Sequence, residues 1–176
     1  PVNASYSCDD ATSRIDTCSG TVADGAAIDT GSVGSKSFAV AAADMAGNLA
    51  SASASYSVLY AGVGTKCGGV DGHIILQPIA VDGSSSFQHN STVPAKFRVC
   101  DFFGTPVTTP RGVSSWGIVS PSPQSVTSTS AHETWRAGDS QWIFNISTKP
   151  LNAGQRYGFE IGFDDGSTID FAFTVR

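Results

Sequence analysis

Three histidines, His73, His89 and His132, are the imidazoles this chain offers as a catalytic base. A hydrolase needs such a base beside a nucleophile and an orienting group. His132 precedes Glu133 in a Ser/Thr-rich stretch, and no Gly-x-Ser-x-Gly elbow occurs in the chain. The histidines therefore read as structural or solvated side chains. Carboxylates are paired at Asp9-Asp10 and Asp164-Asp165, but neighbours on a strand or turn point in different directions. Glycoside hydrolysis wants two carboxyl groups converging across roughly 5–10 Å, and Glu133 and Glu160 are the only glutamates. The expectation is a protein that is not an enzyme, has no catalytic residues and needs no cofactor.

Asp9, Asp10, Asp24, Asp29, Asp44 and Asn48 could offer hard oxygen ligands to calcium. No EF-hand or repeat-type calcium loop frames them, and Asp44 and Asn48 equally suit Asx-type turn bonds. Asp9, Asp10, Asp44 and Asn48 stay weak calcium candidates, and no metal is assigned. Trp116, Trp135 and Trp142 could build a sugar-stacking platform. Trp142 alternates with Phe144 and Ile146, which places it in a core. Trp135 follows the stretch Ser128–Thr134 and is the candidate for exposure and for contact with a ligand or partner. Lys96 and Arg98 alternate with Phe97 and Val99, so they form a solvated strand face unless a partner covers them. Asn3-Ala4-Ser5, Asn90-Ser91-Thr92 and Asn145-Ile146-Ser147 fit the glycosylation sequon. Asn90 is expected to be the most accessible of the three.

These residues must be positioned by strands. Val and Ile together number 25, while Leu numbers 4 and Met 1 in the 176 residues. That balance opposes a helical bundle. Nineteen Gly and 8 Pro suit short strands joined by tight turns. The net charge is −5 and the 10 Lys and Arg are scattered singly, so nucleic acid and an anionic membrane surface are poor partners. No apolar stretch approaches the roughly 20 residues of a membrane span, so no membrane insertion is expected. A start at Pro1 without a signal peptide reads as a processed chain or a piece of a longer one. Cys8, Cys18, Cys67 and Cys100 lack the paired CxxC spacing of a zinc site. Disulfides, in any of three pairings, are the expectation, and they place the protein outside the cytosol.

Composition shifts near Ala61. Residues 1–60 are rich in Ala, Ser, Gly, Thr and Asp, whereas residues 67–176 hold every Trp and nearly all the Phe. Residues 61–66 between them, with two glycines, read as a linker. In the first part Leu49–Tyr60 alternates cleanly: Ala50, Ala52, Ala54, Tyr56, Val58 and Tyr60 on one side, serines on the other. A strand over Ser37–Ala43 precedes it, joined through Asp44-Met45-Ala46-Gly47-Asn48. In the second part His73–Ala80, Ala95–Cys100, Val113–Val119, Trp142–Ser147, Arg156–Phe163 and Thr168–Val175 read as strands. Asp164-Asp165-Gly166-Ser167 is a hairpin signal between the last two. No helical pattern stands out.

The first part resembles the bacterial Ig-like repeats of large secreted proteins. The matching residues are Ser5 to Ser13 around Tyr6-Ser7-Cys8, then Cys18-Ser19-Gly20, Gly25 to Thr30, and the Asp44-Met45-Ala46-Gly47-Asn48 turn. The second part resembles the PxKF-type module found at the C-terminal end of such proteins. The match runs through Ile75-Leu76-Gln77-Pro78-Ile79, Asp82 to Ser85, Ser91 to Asp101 around Pro94-Ala95-Lys96-Phe97, Gln141 to Asn145 and Asp165 to Ile169. The resemblance implies an all-β fold of two tandem β-sandwich domains, residues 1–60 and 67–176, and a Cys8–Cys18 bridge. We further expect Cys67–Cys100, tying the start of the heavy domain to its Ala95–Cys100 strand. Such repeats begin with a strand ahead of Tyr6-Ser7-Cys8, so the first sandwich is expected to lack its leading strand and to take one from outside residues 1–60. The function expected from the whole is a non-catalytic structural module of an extracellular surface structure: a stalk, fibre or filament subunit, assembled by strand donation. Its partners would be other copies of the same protein or upstream domains of the parent chain. The alternative is a glycan- or protein-binding accessory module of a secreted enzyme.

Overall fold

The computed structural model describes residues 1–108, 113–128 and 133–176. Every regular element among them is a β-strand, so the protein is all-β. The chain divides into two compact units, Pro1–Val58 and Leu59–Arg176.

In the light unit, β1 (Ile15–Gly20), β2 (Gly34–Asp44) and β3 (Leu49–Val58) form an antiparallel sheet in the order β1-β2-β3. The register sets Phe38 opposite Ala54, Val40 opposite Ala52 and Ala42 opposite Ala50. Period-2 alternation therefore collects Phe38, Val40 and the alanines on one face. Gly47 sits at φ 90° in the β2–β3 turn, a conformation that L side chains other than Asn and Asp rarely adopt. Ala4 is the one buried apolar side chain of the described residues in this unit.

The heavy unit holds β4 (Lys66–Cys67), β5 (Val70–Asp71), β6 (Ile75–Leu76), β7 (Ser86–Phe87), β8 (Thr92–Phe97), β9 (Val113–Ser120) and β10 (Gln124–Ser125). It continues through β11 (Thr134–Arg136), β12 (Gln141–Ser147), β13 (Arg156–Phe163) and β14 (Thr168–Val175). A five-stranded sheet in the order β10-β9-β13-β14-β7 packs on a four-stranded sheet in the order β11-β12-β8-β6. Aromatic rings lock the two layers together. Phe97 of β8 meets Trp116 of β9 at 5.7 Å and Phe163 of β13 at 5.9 Å, while Trp116 stacks on Phe144 of β12 at 4.0 Å. Phe159, fully buried, stacks on Phe171 and Phe173. The Cys67–Cys100 disulfide lies beside this core with both cysteines buried. A bridge closing a loop of that length stabilises by about 4 kcal/mol on chain-entropy grounds.

The His73–Ala80 run shrinks to the two-residue β6. His73 adopts φ 54°, which takes the chain out of extended geometry, and Pro78 has no N–H for a ladder. Residues around the composition change are held by the heavy unit: the Tyr60 N–H donates to the Asp165 carboxylate at 2.8 Å and the Ala61 N–H to the Cys100 carbonyl at 3.0 Å. Burial and the neighbouring Asp164 push the Tyr60 phenol up.

His73 is buried with its ring 5.0 Å from Phe163 and its Nδ1 without a partner. Burial pulls its pKa below the ordinary value, outweighing Asp165 and the Thr168 backbone. Between the unfolded and folded pKa values the unfolded chain binds the extra proton, so stability is lost as pH falls below about 6.5. We predict that the heavy unit's melting temperature drops between about pH 7.5 and pH 5. His73→Asn, which tolerates the positive φ, should flatten that slope; an unchanged slope would show that another group titrates. Phe159→Ala should cost about 3–5 kcal/mol in urea unfolding followed by tryptophan fluorescence.

Candidate functional site

The light unit's apolar face is covered at one end only. Tyr6 lies over it, its ring 5.7 Å from Phe38. Its hydroxyl accepts the Gly20 N–H at 2.9 Å and donates to the Val22 carbonyl at 3.2 Å. A side chain at Gly20 would collide with both rings, at 2.7 Å from Tyr6 and 2.8 Å from Phe38. The Cys8–Cys18 disulfide ties the same segment to β1. Farther along, Tyr56 closes the face by donating its hydroxyl to the Asp29 carbonyl, and Lys36 pairs with the Asp29 carboxylate at 2.6 Å.

Ala50, Ala52 and Ala54 share that face with Tyr56 yet remain exposed, because the covering layer stops short of them. What results is a cleft of ≈ 430 Å³ whose walls include Tyr6, Ile15, Val40, Ala42, Ala50 and Ala52. Asp9, Asp10 and Asp44 also line it, and no Lys or Arg does. Beside it, β3 is the sheet's edge. Ten residues of edge strand carry no charge and no proline, two of the devices by which sheet edges are blunted.

Of the candidate calcium ligands, Asp10, Asp24, Asp29 and Asp44 already accept hydrogen bonds, while Asp9 is exposed. Asp44 takes the Ala46 and Asn48 N–H groups on one oxygen, and the Ser13 hydroxyl and Asn48 amide on the other. Asp10 takes the Thr12 and Ser13 N–H groups, Asp24 the Tyr6 N–H. No three His, Cys, Asp or Glu side chains converge on a metal position among the described residues. The Ser13 hydroxyl first, then Asn48, holds the Asp44 carboxyl down at about 2.

Other sequence candidates lie in the heavy unit. Trp135 is half-buried and tilted on Trp142 at 5.2 Å. The Trp142 indole N–H donates to the Val107 carbonyl. Lys96 and Arg98 are half-buried, and the Arg98 guanidinium donates to the Ser140 and Asp139 carbonyls at 3.0 and 2.7 Å, fastening the loop before β12. His89 bonds the Lys149 carbonyl and the Asn90 amide, and Asn90 is exposed at φ 60°. His132 lies outside the described residues.

Sequence reasoning passed over Phe102 and Phe103, which are 84% and 88% exposed with rings 5.5 Å apart. Their loop is braced: the Asp101 carboxylate accepts the Phe103 and Thr105 N–H groups, and the Gly104 carbonyl accepts that of Gly68. The signal was present, since two aromatics between Asp101 and Gly104 sit in a turn rather than on a strand.

No family model matches the chain, and no curated protein matches it. Among solved structures, a similar chain is SGBP-B of the Bacteroides ovatus mixed-linkage glucan utilization locus, in complex with a mixed-linkage heptasaccharide. The two are 14% identical; the alignment covers 85% of this chain and 31% of that one, with a TM-score of 0.30. This chain thus spans about a third of that chain's length. A likeness of this size carries no inference about ligand.

A carboxyl with a depressed folded pKa contributes stability above its unfolded value and loses it as pH falls through the folded one. Asp44 should therefore make the light unit acid-sensitive between 3.8 and about 2. We predict that Asp44→Asn destabilises the light unit at neutral pH and flattens its loss of circular dichroism across that window. A wild-type acid limb in the variant would exclude Asp44 as its source.

Proposed function

We propose that the chain is a non-catalytic structural module of an extracellular surface structure, a stalk, fibre or filament component, assembled by β-strand donation into the light unit. In this reading the light unit is an Ig-like repeat whose leading strand comes from a neighbour, and the heavy unit is a PxKF-type module. One observation carries it: a three-stranded sheet leaves Ala50, Ala52 and Ala54 uncovered beside an unguarded edge, with Ala4 as its buried apolar side chain. Small domains are stabilised by buried apolar area, and this unit buries little until another strand arrives. Added strands satisfy edge N–H and C=O groups and cover the face at once. Two disulfides suit an oxidising exterior.

A second reading, an accessory module that binds glycan or protein, draws support from the braced and exposed Phe102–Phe103 pair. Native electrophoresis in polysaccharide-containing gels separates the two, since the structural module should migrate without retardation.

Hydrogen exchange provides the test. In the isolated protein the amides of Leu49–Val58 that point away from β2 should exchange fast. In material taken from the assembled surface structure they should be protected by about tenfold or more. Equal exchange in the two states would overturn the proposal.

A further inference from the structure

We infer that the light unit's cleft takes an extended polypeptide strand with β-branched apolar side chains at alternate positions and a basic residue at one end, paired along Ser7–Asp9. This rests on the strand-donation reading above and specifies the donor's chemistry.

Ser7, Cys8 and Asp9 line the cleft together with Ala50 and Ala52 of β3, and they make no backbone–backbone hydrogen bond with any described residue. Their N–H and C=O groups are paired with no other backbone and stay open to a partner strand, as at a sheet edge. A strand laid along Ser7–Asp9 would pair them in a regular ladder. The floor is made of small side chains, Ala42, Ala50 and Ala52, with Val40. Filling it takes larger side chains at every second position, which Val and Ile provide without loss of extended geometry.

Charge sets the direction. Lys36 and Tyr56 close one end of the face, while Asp9, Asp10 and Asp44 line the cleft. Asp10 Oδ1 and both Asp44 oxygens already serve neighbouring turns. Asp9 is exposed, with no side-chain hydrogen bond to a described residue, and its carboxylate is free to pair with a base. The apolar alternations of β8, β12, β13 and β14 are buried in the heavy unit, which withholds these strands from donation, and β3 carries no basic residue.

The test titrates the intact 176-residue protein with an acetylated, amidated peptide, Lys-Thr-Val-Thr-Val-Thr-Val-Ser, and with its counterpart carrying Glu for Lys. The amide signals of Ser7–Asp9 should shift and become protected. The Glu peptide should bind about two- to fivefold more weakly at low salt, as exposed ion pairs allow. The difference should close at about 0.5 M salt. Ala52→Trp plugs the cleft at an exposed position and should abolish binding with the far-ultraviolet circular dichroism unchanged. Equal affinity of the two peptides at low salt, with Ser7–Asp9 protected, would overturn the basic-end rule and leave strand donation standing. No binding of either peptide, or binding that survives Ala52→Trp, would overturn the cleft as the docking site. Strand donation itself is judged by the separate exchange experiment on assembled material.

Discussion

A β-sheet with one apolar face needs that face removed from water, and every other feature of this protein follows from how its two units meet that demand. In the heavy unit a five-stranded and a four-stranded sheet cover each other. Phe97, Phe159, Phe173, Ile146 and Ile161 lose essentially all contact with solvent there. At about 25 cal/mol per Å² of apolar surface, each such side chain contributes on the order of 1.5–3 kcal/mol. The unit can therefore carry exceptions, such as the buried Trp116 indole N–H and the His73 Nδ1, both without partners. Each costs about 1–3 kcal/mol, which a core of this size offsets.

The light unit has no such reserve and relies on point attachments. Tyr6 reaches across to Gly20 and Val22, Cys8 is bonded to Cys18, and the Asp44 carboxylate gathers Ser13, Ala46 and Asn48 around the β2–β3 turn. Each fixes a loop whose freedom a larger core would otherwise restrict. Their positions share a logic: all hold the N-terminal segment and the turns, and none covers Ala50 to Ala54. A bridge closing so short a loop is worth about 3 kcal/mol, a large share of the stability of a small domain. Stiff attachments around an uncovered face keep it from collapsing upon itself, because collapse would have to break them.

Local physics made much of this legible. Arg156–Phe163 and Thr168–Val175 are strands with the bounds expected from alternation, since period-2 patterning and the Asp165-Gly166 turn act between near neighbours. The same reasoning placed Trp142 in the core beside Phe144 and Ile146. It overextended the His73–Ala80 strand because His73 takes a left-handed conformation that no pattern of apolar residues announces. The Cys8–Cys18 pairing was implied by the family resemblance, since spacing left three pairings open. Composition could not show that Tyr60 and Ala61 are held by Asp165 and Cys100, partners far along the chain.

What residues 1–176 determine by themselves is which face of each strand is apolar and where the chain turns. Whether an apolar face is buried is a long-range matter. Ala50, Ala52 and Ala54 follow the same alternation as Phe159, Ile161 and Phe163, yet the former are open and the latter sealed. The difference lies in a second layer contributed by β8 and β12, strands of the other sheet from β13, and absent over β3 among the described residues. Alternation is a property of the backbone pleat and is written locally; coverage depends on which distant segment arrives, and only the tertiary structure decided that.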